Sequence, residues 1–388
     1  MKNNKIRKIC VFSGKRGGFG AYIPLMRLIE KDPVFQLQII LGDMHGSNTF
    51  GDTAKEAKRF FPKSKIVIIK MGAGRGDSPV IRTENLGTCL HKAAGFLSKL
   101  NPDILMVHGD RGEHLVMALV ALNLGIPVFH TQGGEVSGNI DDVQRHAITK
   151  LAHLHFPETE TAKKRIEVLG EESWRICVAG SLYVDRIVRR MFTNPVEVRK
   201  KYGLKPEEKY FIIIYHPDTY LSQKENYRVM KNVLTAVESF GLRSIVIYPC
   251  SDPGYQGVID AIDEVKENSD FLIYKNIENL DFLGLLTDAE ALIGNSSTAL
   301  VEAPYLKLPA VNVGNRQLGR DREENVADVE TSVIKIKNRL LYVTSDKLFR
   351  EQLKKCGYRL GNGRASEQIL KVIRGVSLDE KLLRKKLI

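Results

Sequence analysis

Short apolar runs alternate with amphipathic segments from one end of the chain to the other. In the first half, this pattern predicts strands at 8–13, 37–42, 65–70, 103–109, 126–131, 154–157 and 175–180. Between them it predicts helices at 21–31, 83–100, 113–125 and 142–154. In the second half it predicts strands at 209–216, 243–249, 270–276, 290–295, 309–314 and 332–336. Strands that are apolar throughout and separated by helices are typical of parallel sheets covered on both faces.

A charged segment, 186–210, lies between the two sets of strands and has the composition of a connector between domains. A chain of 388 residues is also longer than one ordinary core requires. The sequence therefore predicts an α/β protein with two doubly wound domains that face each other across a cleft. In such sheets ligands bind at the carboxyl ends of the strands, so the residues that follow each strand are the candidates for function.

The composition narrows the class of protein. Hydrophobic residues make up 43% of the chain and charged residues 27%, as in soluble globular proteins. The longest apolar run, 115–129, is interrupted by Asn123 and Pro127 and is shorter than the ~20 residues of a membrane span. No signal-peptide pattern develops near the basic start, so we predict a cytoplasmic protein without membrane contact. The net charge of +12 is spread along the chain without a nucleic-acid-binding motif, which indicates a basic cleft for an anionic metabolite or simple solvation.

Three loops of the first half carry charged or titratable groups directly after a strand. The glycine-rich stretch SGKRGGFG (13–20) contains Arg16 and would let the backbone approach a phosphate, although an exposed loop arginine is an equally good interpretation. His45, after the second strand, is by itself more typical of a surface loop than of a site. Asp110 and Arg111 follow the fourth strand, where Asp110 would either take a proton or cap the next helix.

The stretch HTQGGEVSGNIDDVQRH (130–146) follows the fifth strand and holds an unusual density of proton-handling groups. Asp141 and Asp142 begin a helix, where capping is the simple explanation. Capping does not explain why His130, Gln132 and Glu135 converge on the same short loop. The histidines of this region lack the spacing of a zinc-binding helix, so the sequence predicts no metal site.

The second half offers a histidine and a possible anion-binding helix start. His216 lies between a buried strand and Pro217, which would fix its direction and suit a general acid or base. Ser296 and Ser297 open a helix, either as caps or as hydroxyl donors beside free backbone N–H groups. Further polar candidates on this helix and on the next glycine-containing loop are Glu302, Arg316 and Arg320.

These segments together resemble the hydrolysing UDP-N-acetylglucosamine 2-epimerase family, the first-step enzymes of sialic-acid-type sugar biosynthesis. The matching pieces run in order from residue 13 to about 366 and read GDMHGSNTFG, HGDR, GGEVSGNIDDVQRHAITKLAHLHF, HPDT, GNSSTALVEAP and GNRQLGR. The resemblance implies a GT-B fold with a Rossmann-like domain at 1–188, a nucleotide-binding Rossmann-like domain at 189–366 and a helical tail at 367–388. It also implies a nucleotide sugar bound between the domains, no metal or nicotinamide cofactor, and a homodimer.

The resemblance assigns roles to individual residues as well. The nucleotide and its ribose would be held by Ser296, Ser297 and Glu302. The diphosphate would be faced by Arg16, Arg316 and Arg320. The sugar would be surrounded by His45, Asp110, Arg111, His130, Glu135, Asp141, Asp142 and Arg145, with His216 reaching it from the second domain. The implied catalytic positions are Asp110, Gln132, Asp141, Asp142 and His216.

The implied reaction removes the C2 proton of the sugar with loss of the nucleoside diphosphate, and then adds water with inversion at C2. Such a C–H bond is very weakly acidic, so the reaction needs a well-placed carboxylate and the exclusion of bulk water. The chain departs from the family pattern at two loops. SGKRGGFG keeps only the glycine and Arg16 of the first loop, and Gln132 stands where an essential carboxylate is often found. Glutamine does not exchange a proton near neutral pH, so the base would be Asp110, Asp141 or Glu135.

Three hypotheses about function follow. The leading one is a hydrolysing 2-epimerase of nonulosonic (sialic) acid biosynthesis. It would convert UDP-N-acetylglucosamine, or a related UDP- or GDP-linked amino sugar such as a bacillosamine, to a free N-acetylmannosamine-type sugar and nucleoside diphosphate. The second is a GT-B glycosyltransferase, against which the acid-rich loop 130–146 argues because transferases need fewer proton-transfer groups. The third, motivated by Gln132, is a catalytically altered protein that only binds a nucleotide sugar.

Overall fold

The computed structural model of the chain describes residues 6–51, 53–72, 74–137 and 140–386. Over these ranges, twelve strands form two six-stranded sheets, one from each half of the chain. The first sheet contains β1 (Arg7–Ser13), β2 (Phe35–Leu41), β3 (Lys65–Ile68), β4 (Ile104–His108), β5 (Val128–Thr131) and β6 (Leu154–Phe156). The second contains β7 (Tyr210–Ile214), β8 (Arg243–Ile247), β9 (Phe271–Tyr274), β10 (Ala291–Gly294), β11 (Ala310–Val313) and β12 (Val326–Val329).

Helices connect the strands and cover both faces of each sheet. The helices of the first half are α1 (Arg16–Lys31), α2 (Ala54–Phe60), α3 (Pro79–Leu100), α4 (Gly112–Asn123), α5 (Ile140–Leu151), α6 (Glu160–Val168) and α7 (Leu182–Val188). The remaining helices are α8 (Pro195–Lys201), α9 (Gln223–Glu238), α10 (Tyr255–Asp263), α11 (Asn279–Leu286), α12 (Thr298–Val301), α13 (Val333–Ser345), α14 (Lys347–Leu353), α15 (Ala365–Gly375) and α16 (Glu380–Leu383). None of them, over the ranges given above, is both long and apolar enough to cross a bilayer.

Both sheets are doubly wound. Their strand orders are β3-β2-β1-β4-β5-β6 and β12-β11-β10-β7-β8-β9, and neighbouring strands run parallel. The direction of winding reverses between β1 and β4 in the first sheet and between β10 and β7 in the second. Ligands bind outside the carboxyl ends of the strands at such reversal points. The two sheets face each other in the GT-B arrangement, which confirms the predicted α/β fold class.

The core lies on both faces of each sheet because the strands are apolar at every position. Ile9 and Val11 of β1 point into one cluster, while Cys10 and Phe12 point into another on the opposite face. All four side chains are fully buried or nearly so. This alternation is what a parallel strand covered by helices on both sides requires.

Two predicted strands are wrong. The run 175–180 is mainly irregular, and its residue Ile176 makes one isolated bridge to His155. The run 332–336 begins helix α13, because the Ser332 side chain accepts a hydrogen bond from the Lys335 backbone and so caps a helix. The strand that completes this edge of the sheet is β12, just before α13, which the apolar pattern did not predict.

The end of the chain returns to the first half. Helix α15 packs against α1 and α7, and Ile369 and Ile373 belong to the same apolar cluster as the first sheet. Arg175 donates hydrogen bonds to the carbonyl oxygens of Leu382, at 2.8 Å, and Lys381, at 2.9 Å. The connector 186–210 contains α8. The domain boundaries at 188 and 366 stay a prediction.

Candidate active site

The cleft between the sheets is lined from both halves of the chain. Eight of the predicted site residues line it: Arg16, Arg111, Asp141, His216, Ser296, Ser297, Glu302 and Arg316. The other eight do not: His45, Asp110, His130, Gln132, Glu135, Asp142, Arg145 and Arg320. Lining residues that sequence reasoning missed include Lys15, Tyr183, Arg186, Cys250 and Asn279.

Arg16 joins the two halves at the first loop. Helix α1 begins at this residue, so the glycines predicted to form a ligand-binding loop lie in the first turns of a helix. The Arg16 guanidinium donates hydrogen bonds to the carbonyl oxygens of Lys275, at 2.5 Å, and Tyr248, at 3.1 Å. Gly20 packs so closely on Asn279 of the second half that a Cβ would collide with the Asn279 side chain. Gly20 therefore allows close approach of the two halves.

Asp110 is a fixed anion. It follows β4 and forms an ion pair with Arg145 of α5, and Lys15 lies 3.5 Å away. Burial alone would raise the pKa of Asp110, but the charges of Lys15 and Arg145 outweigh it and hold the pKa well below its ordinary value. The cap position of α4 belongs to Arg111, so Asp110 is not the helix cap. An ionised carboxylate held this way orients the cations around it.

Arg111 is the centre of a buried ionic network that crosses the cleft. Its guanidinium lies 3.2 Å from Glu113 and 3.3 Å from Asp43 in the first half. It also forms an ion pair with Asp252 of the second half, next to Ser251 at 3.3 Å. Ser251 in turn donates a hydrogen bond to Asp43 at 2.6 Å. The network links the loops that follow β2, β4 and β8.

His45 and His130, which were predicted to face the sugar, bond through their ring nitrogens to neighbouring protein groups. His45 Nε2 lies 3.0 Å from the Ser13 hydroxyl, and its Nδ1 lies 2.6 Å from the Thr53 hydroxyl. His130 Nε2 lies 2.8 Å from the carbonyl oxygen of Gly109. Burial lowers the pKa of each histidine to about 3, so both are neutral near pH 7. Each one braces a loop at the carboxyl end of the first sheet.

Gln132 is held in an unusual backbone conformation beside a glutamate that sequence reasoning missed. Its φ of 63° lies in the left-handed region, and its N–H donates to the Phe156 carbonyl at 3.1 Å. The Gln132 Nε2 atom lies 3.4 Å from both carboxyl oxygens of Glu158. Glu135, three residues on, is buried, and its Oε1 atom has no hydrogen-bond partner among the described residues.

The two aspartates at the start of α5, Asp141 and Asp142, lie in different environments. Asp141 lines the cleft, and its Oδ2 atom lies 3.9 Å from Arg316 of the second half. Burial, reinforced by the nearby charge of Asp110, raises the pKa of Asp141 to about 6. Asp142 instead accepts a hydrogen bond from the Ser137 backbone at 3.0 Å and lies 3.6 Å from His146. Asp141 is therefore the member of the pair that is poised to take a proton.

His216 presents a hydrogen-bond donor to the cleft. The Cys250 backbone N–H donates to His216 Nδ1 at 3.1 Å, so the proton of the neutral ring lies on Nε2. Burial, with the charge of Arg316, holds the pKa of His216 well below its ordinary value. Asn295 fixes the backbone on both sides, accepting from the His216 N–H at 2.7 Å and donating to its carbonyl at 2.8 Å.

The loop after β10 supplies hydroxyl groups and a carboxyl group. Ser296 accepts a hydrogen bond from the Thr298 backbone at 3.3 Å, whereas Ser297, at the cap position of α12, makes no side-chain cap bond. Glu302, at the end of this short helix, is buried and lines the cleft. Burial raises the pKa of Glu302 to about 7. The arrangement offers acceptors and donors for a polyhydroxylated ligand.

Two arginines of the second half point toward the first. Arg316 lies 3.6 Å from Asp252 and 3.9 Å from Asp141, and so provides positive charge inside the cleft. Arg320 is bonded to Gln317 at 3.1 Å. Burial and the charge of Arg145 lower the pKa of Arg320, and the charge of Glu135 opposes them. Arg320 therefore faces the part of the first half that holds Glu135 and Arg145.

The polar groups of the site are arranged for binding and proton transfer by side chains. Within the described ranges, no three His, Cys, Asp or Glu residues come together in a group that could hold a metal ion. The cleft combines two carboxyl groups of raised pKa, Asp141 and Glu302, with a neutral imidazole donor and several lysine and arginine side chains. Such a set can abstract a proton from carbon and stabilise a leaving anion.

The fold and the cleft define a GT-B-type protein, and comparison with known sequences defines the family. Residues 27–374 match the UDP-N-acetylglucosamine 2-epimerase family, and the chain belongs to it. It is therefore a nucleotide-sugar 2-epimerase by family, which supports the leading hypothesis over a glycosyltransferase.

Individual relatives cover nearly the whole chain. The UDP-N,N'-diacetylbacillosamine 2-epimerase (hydrolyzing) of Legionella pneumophila is 30% identical over 98% of this chain and 99% of its own. The GDP/UDP-N,N'-diacetylbacillosamine 2-epimerase (hydrolyzing) of Campylobacter jejuni is 33% identical over 84% of each chain. The crystal structure of a UDP-GlcNAc 2-epimerase from Neisseria meningitidis bound to UDP-GlcNAc superimposes with a TM-score of 0.76 at 16% identity, covering 95% of this chain and 100% of that one. This likeness shows the shared fold.

Proposed function

We propose that the protein is a hydrolysing nucleotide-sugar 2-epimerase. It converts a UDP-linked N-acetylated amino sugar, UDP-N,N'-diacetylbacillosamine or UDP-N-acetylglucosamine, to the free 2-epimer and UDP. The observation that carries the proposal is Asp141, a buried carboxyl group of pKa about 6 that lines the cleft beside Arg316. The names of the Legionella and Campylobacter relatives support the hydrolysing reaction and the bacillosamine-type sugar.

We place the nucleotide on the second half of the chain. Ser297 has no cap bond to keep its hydroxyl from a ligand, and Glu302 offers two carboxyl oxygens to neighbouring ribose hydroxyls. Binding of those hydroxyls would add hydrogen bonds to a buried carboxyl group. The diphosphate then lies toward Arg316 and Lys15, which provide the positive charge that a leaving diphosphate needs.

The chemistry takes place at the first half of the cleft. Asp141 removes the C2 proton, the C2–H electron pair forms a C1=C2 double bond, and the C1–O bond breaks to release UDP. His216 donates its Nε2–H to an oxygen atom of the departing UDP or of the bound sugar, because its Nδ1 already accepts a hydrogen bond from the Cys250 backbone. Water then adds to C1 and a proton returns to C2. Closure of the two halves around the sugar keeps bulk water from the base and strengthens the electrostatic interactions.

The pathway, the cellular location and the oligomeric state are part of the same proposal. The free 2-epimer of an N-acetylated amino sugar is a building block for a sialic or other nonulosonic acid. We propose that the enzyme acts in the cytoplasm as a homodimer, with domains at 1–188 and 189–366, a tail at 367–388, and a nucleotide sugar as its partner. Light scattering of the purified chain tests the dimer, because a molar mass near the 43.6 kDa of one chain would contradict it.

The test of the reaction is incubation with UDP- and GDP-linked N-acetylglucosamine and N,N'-diacetylbacillosamine in D₂O, followed by NMR. We expect free sugar with inverted C2, one deuteron at C2, and one equivalent of UDP. A product that keeps its UDP would indicate epimerisation without hydrolysis. Release of GDP in preference to UDP would show that the substrate is GDP-linked and not UDP-linked. Tight binding of every nucleotide sugar without release or deuterium exchange would favour a binding protein, the hypothesis that Gln132 motivates.

A further inference from the structure

Inversion at C2 through elimination and hydration needs two proton transfers at the same carbon. One group removes the original proton, and a group must deliver a new one from the other face of the sugar. Asp141 suits one of these tasks. Asp110 is held ionised by Lys15 and Arg145, and Gln132 has no proton to exchange near neutral pH. Among Asp110, Gln132 and Asp141 there is therefore a single proton-transfer group for C2, and His216 is assigned to oxygen atoms. This leaves Glu135 and Glu158 as the buried carboxyl groups beside the loop after β5.

Among the described residues, Glu158 is a buried carboxyl group that forms no ion pair. It comes two residues after β6, is 4% exposed, and lies beside the loop that follows β5. Within the described ranges, no lysine or arginine lies within ion-pair distance of it. Its neighbour is the uncharged amide of Gln132, whose Nε2 atom lies 3.4 Å from each Glu158 oxygen. An amide donor can hold a carboxyl group in either protonation state, whereas an arginine would fix it as an anion.

The charges around Glu158 come from several elements. Burial, reinforced by the charge of Glu135 from the β5 loop, raises the pKa of Glu158 to about 7, while the Ser181 hydroxyl and Arg320 from the second half oppose this shift. Glu158 also acts on the cleft itself. Burial is the main cause of the raised pKa of Tyr183 and of Glu302, and the charge of Glu158 adds to both. Both of these residues line the cleft, whereas Glu158 itself is not one of the residues that line it in this closed arrangement.

We propose that Glu158 delivers the proton that returns to C2 during hydration, and that Gln132 positions its carboxyl group. The inference rests on the proposed hydrolysing function. In this step the C1=C2 electron pair takes the Glu158 proton to form the new C2–H bond, and the oxygen of water bonds to C1. The proton lost by that water restores the Glu158 acid. The proton that Asp141 removed earlier leaves to solvent as the acid that hydrolysis of the UDP ester releases, so atoms and charges balance.

The same geometry explains why an amide at position 132 is compatible with activity. Two carboxylates at the distance of Gln132 and Glu158 would repel each other, and both would not ionise near neutral pH. One carboxyl group and one amide satisfy the pair in either order. The chain carries the carboxyl group at 158 and the amide at 132. The reversed pair, Gln132→Glu with Glu158→Gln, should therefore recover part of the function that Glu158→Gln alone removes.

The experiment follows the two steps separately in D₂O by NMR, with the nucleotide sugar that the wild type hydrolyses. We expect Glu158→Gln to release UDP and accumulate the C1=C2 glycal, with hydration slower by about 100-fold or more. The reversed pair should hydrate the glycal within about tenfold of the wild type. Glu160→Gln is the matched control, because Glu160 begins α6 two residues away and its side chain is 72% exposed. It should keep wild-type rates of both steps.

The outcomes separate the two proposals. A wild type that releases no UDP from any nucleotide sugar overturns the proposed function and this inference with it. A working wild type together with a Glu158→Gln variant that hydrates the glycal at the normal rate overturns the inference alone. If Glu158→Gln loses both steps, the reversed pair decides: recovered hydration supports the assignment, and a dead but folded reversed pair overturns it.

Discussion

The guanidinium of Arg111 and the carboxylate of Asp252 form a buried ion pair across the cleft, one residue from each half of the chain. Asp43 and Glu113 contact the same arginine from the first half. The cleft enclosed in this way has a volume of about 150 Å³. Sites for small ligands usually measure about 300–1,000 Å³, so we expect the halves to separate when a nucleotide sugar enters. Such an opening would break the Arg111–Asp252 pair.

Replacing Asp252 with Asn should weaken the closed arrangement. Arg111 keeps two carboxylates of the first half but loses its charged partner in the second, at a cost of about 1–3 kcal/mol. We expect a lower midpoint of chemical unfolding and a larger radius of gyration in small-angle scattering, which UDP reduces. Asp260→Asn, an exposed change on the neighbouring helix α10, should alter neither quantity. An unchanged radius for Asp252→Asn would show that the pair does not hold the halves together.

Asp141→Asn tests the base. The amide keeps the size of the side chain but cannot take a proton, so kcat should fall by about 10²–10⁴-fold. UDP binding should change little, because Ser297 and Glu302, the proposed nucleotide contacts, lie on the other half of the chain. Calorimetry with UDP and the rate of UDP release provide the two measurements. Retained turnover would remove Asp141 from proton transfer.

Much of the site was predictable from one rule, that ligands lie past the carboxyl ends of parallel strands. Asp141, His216 and Ser296 follow strands and line the cleft. The rule does not distinguish them from His45, which also follows a strand, or from His130, which lies within β5 near its carboxyl end; both histidines bond to neighbouring protein groups. Sequence spacing places a residue at the sheet edge, whereas packing decides which way its side chain turns.

The residues that the sequence did not reveal fall into two kinds. Tyr183 and Arg186 reach the cleft from α7, a short helix whose sequence has no feature of a binding site. Glu158 lies two residues after β6 and was within reach of the same rule. In the fold, the run 332–336 alternates like a strand. The buried positions of α13, which include Ile336 and Leu340, follow a helical spacing that only its continuation shows.

Glu302→Gln tests the ribose contact. The change keeps one acceptor oxygen but removes the charge, so UDP should bind about tenfold more weakly. The value of kcat at saturating substrate should stay the same, because the interaction is equal in ground and transition states. Glu330→Gln is the matched control. Glu330 lies before α13 and forms an exposed ion pair with Lys335 of that helix. A fall in kcat without a change in UDP affinity would contradict the assignment.

The acidic limb of the pH–rate profile should report Asp141. Its pKa is raised to about 6 by burial and by the charges of Asp110 and Asp252, against the opposing charges of Arg111 and Arg316. The base acts as the anion, so kcat/KM should be constant well above pH 6 and fall as the pH drops through about 6. His146→Gln should keep this limb, since His146 lies 3.6 Å from Asp142 and is the nearby histidine that could imitate it. Loss of the limb in His146→Gln would assign it to the histidine.

The basic limb should report Glu158. The pKa of its carboxyl group is raised to about 7 by burial and by Glu135, and the Ser181 hydroxyl, Arg320 and the Gln132 amide oppose the shift. An acid acts in its protonated form, so hydration of the glycal should be fastest below pH 7 and slow as the pH rises through about 7. Glu302 has a pKa raised to about 7 as well, so Glu302→Gln at saturating substrate must retain the limb. The slow residual hydration by Glu158→Gln should be independent of pH between 6 and 8. A limb that persists in Glu158→Gln and disappears in Glu302→Gln would place the proton donor on the second half of the chain.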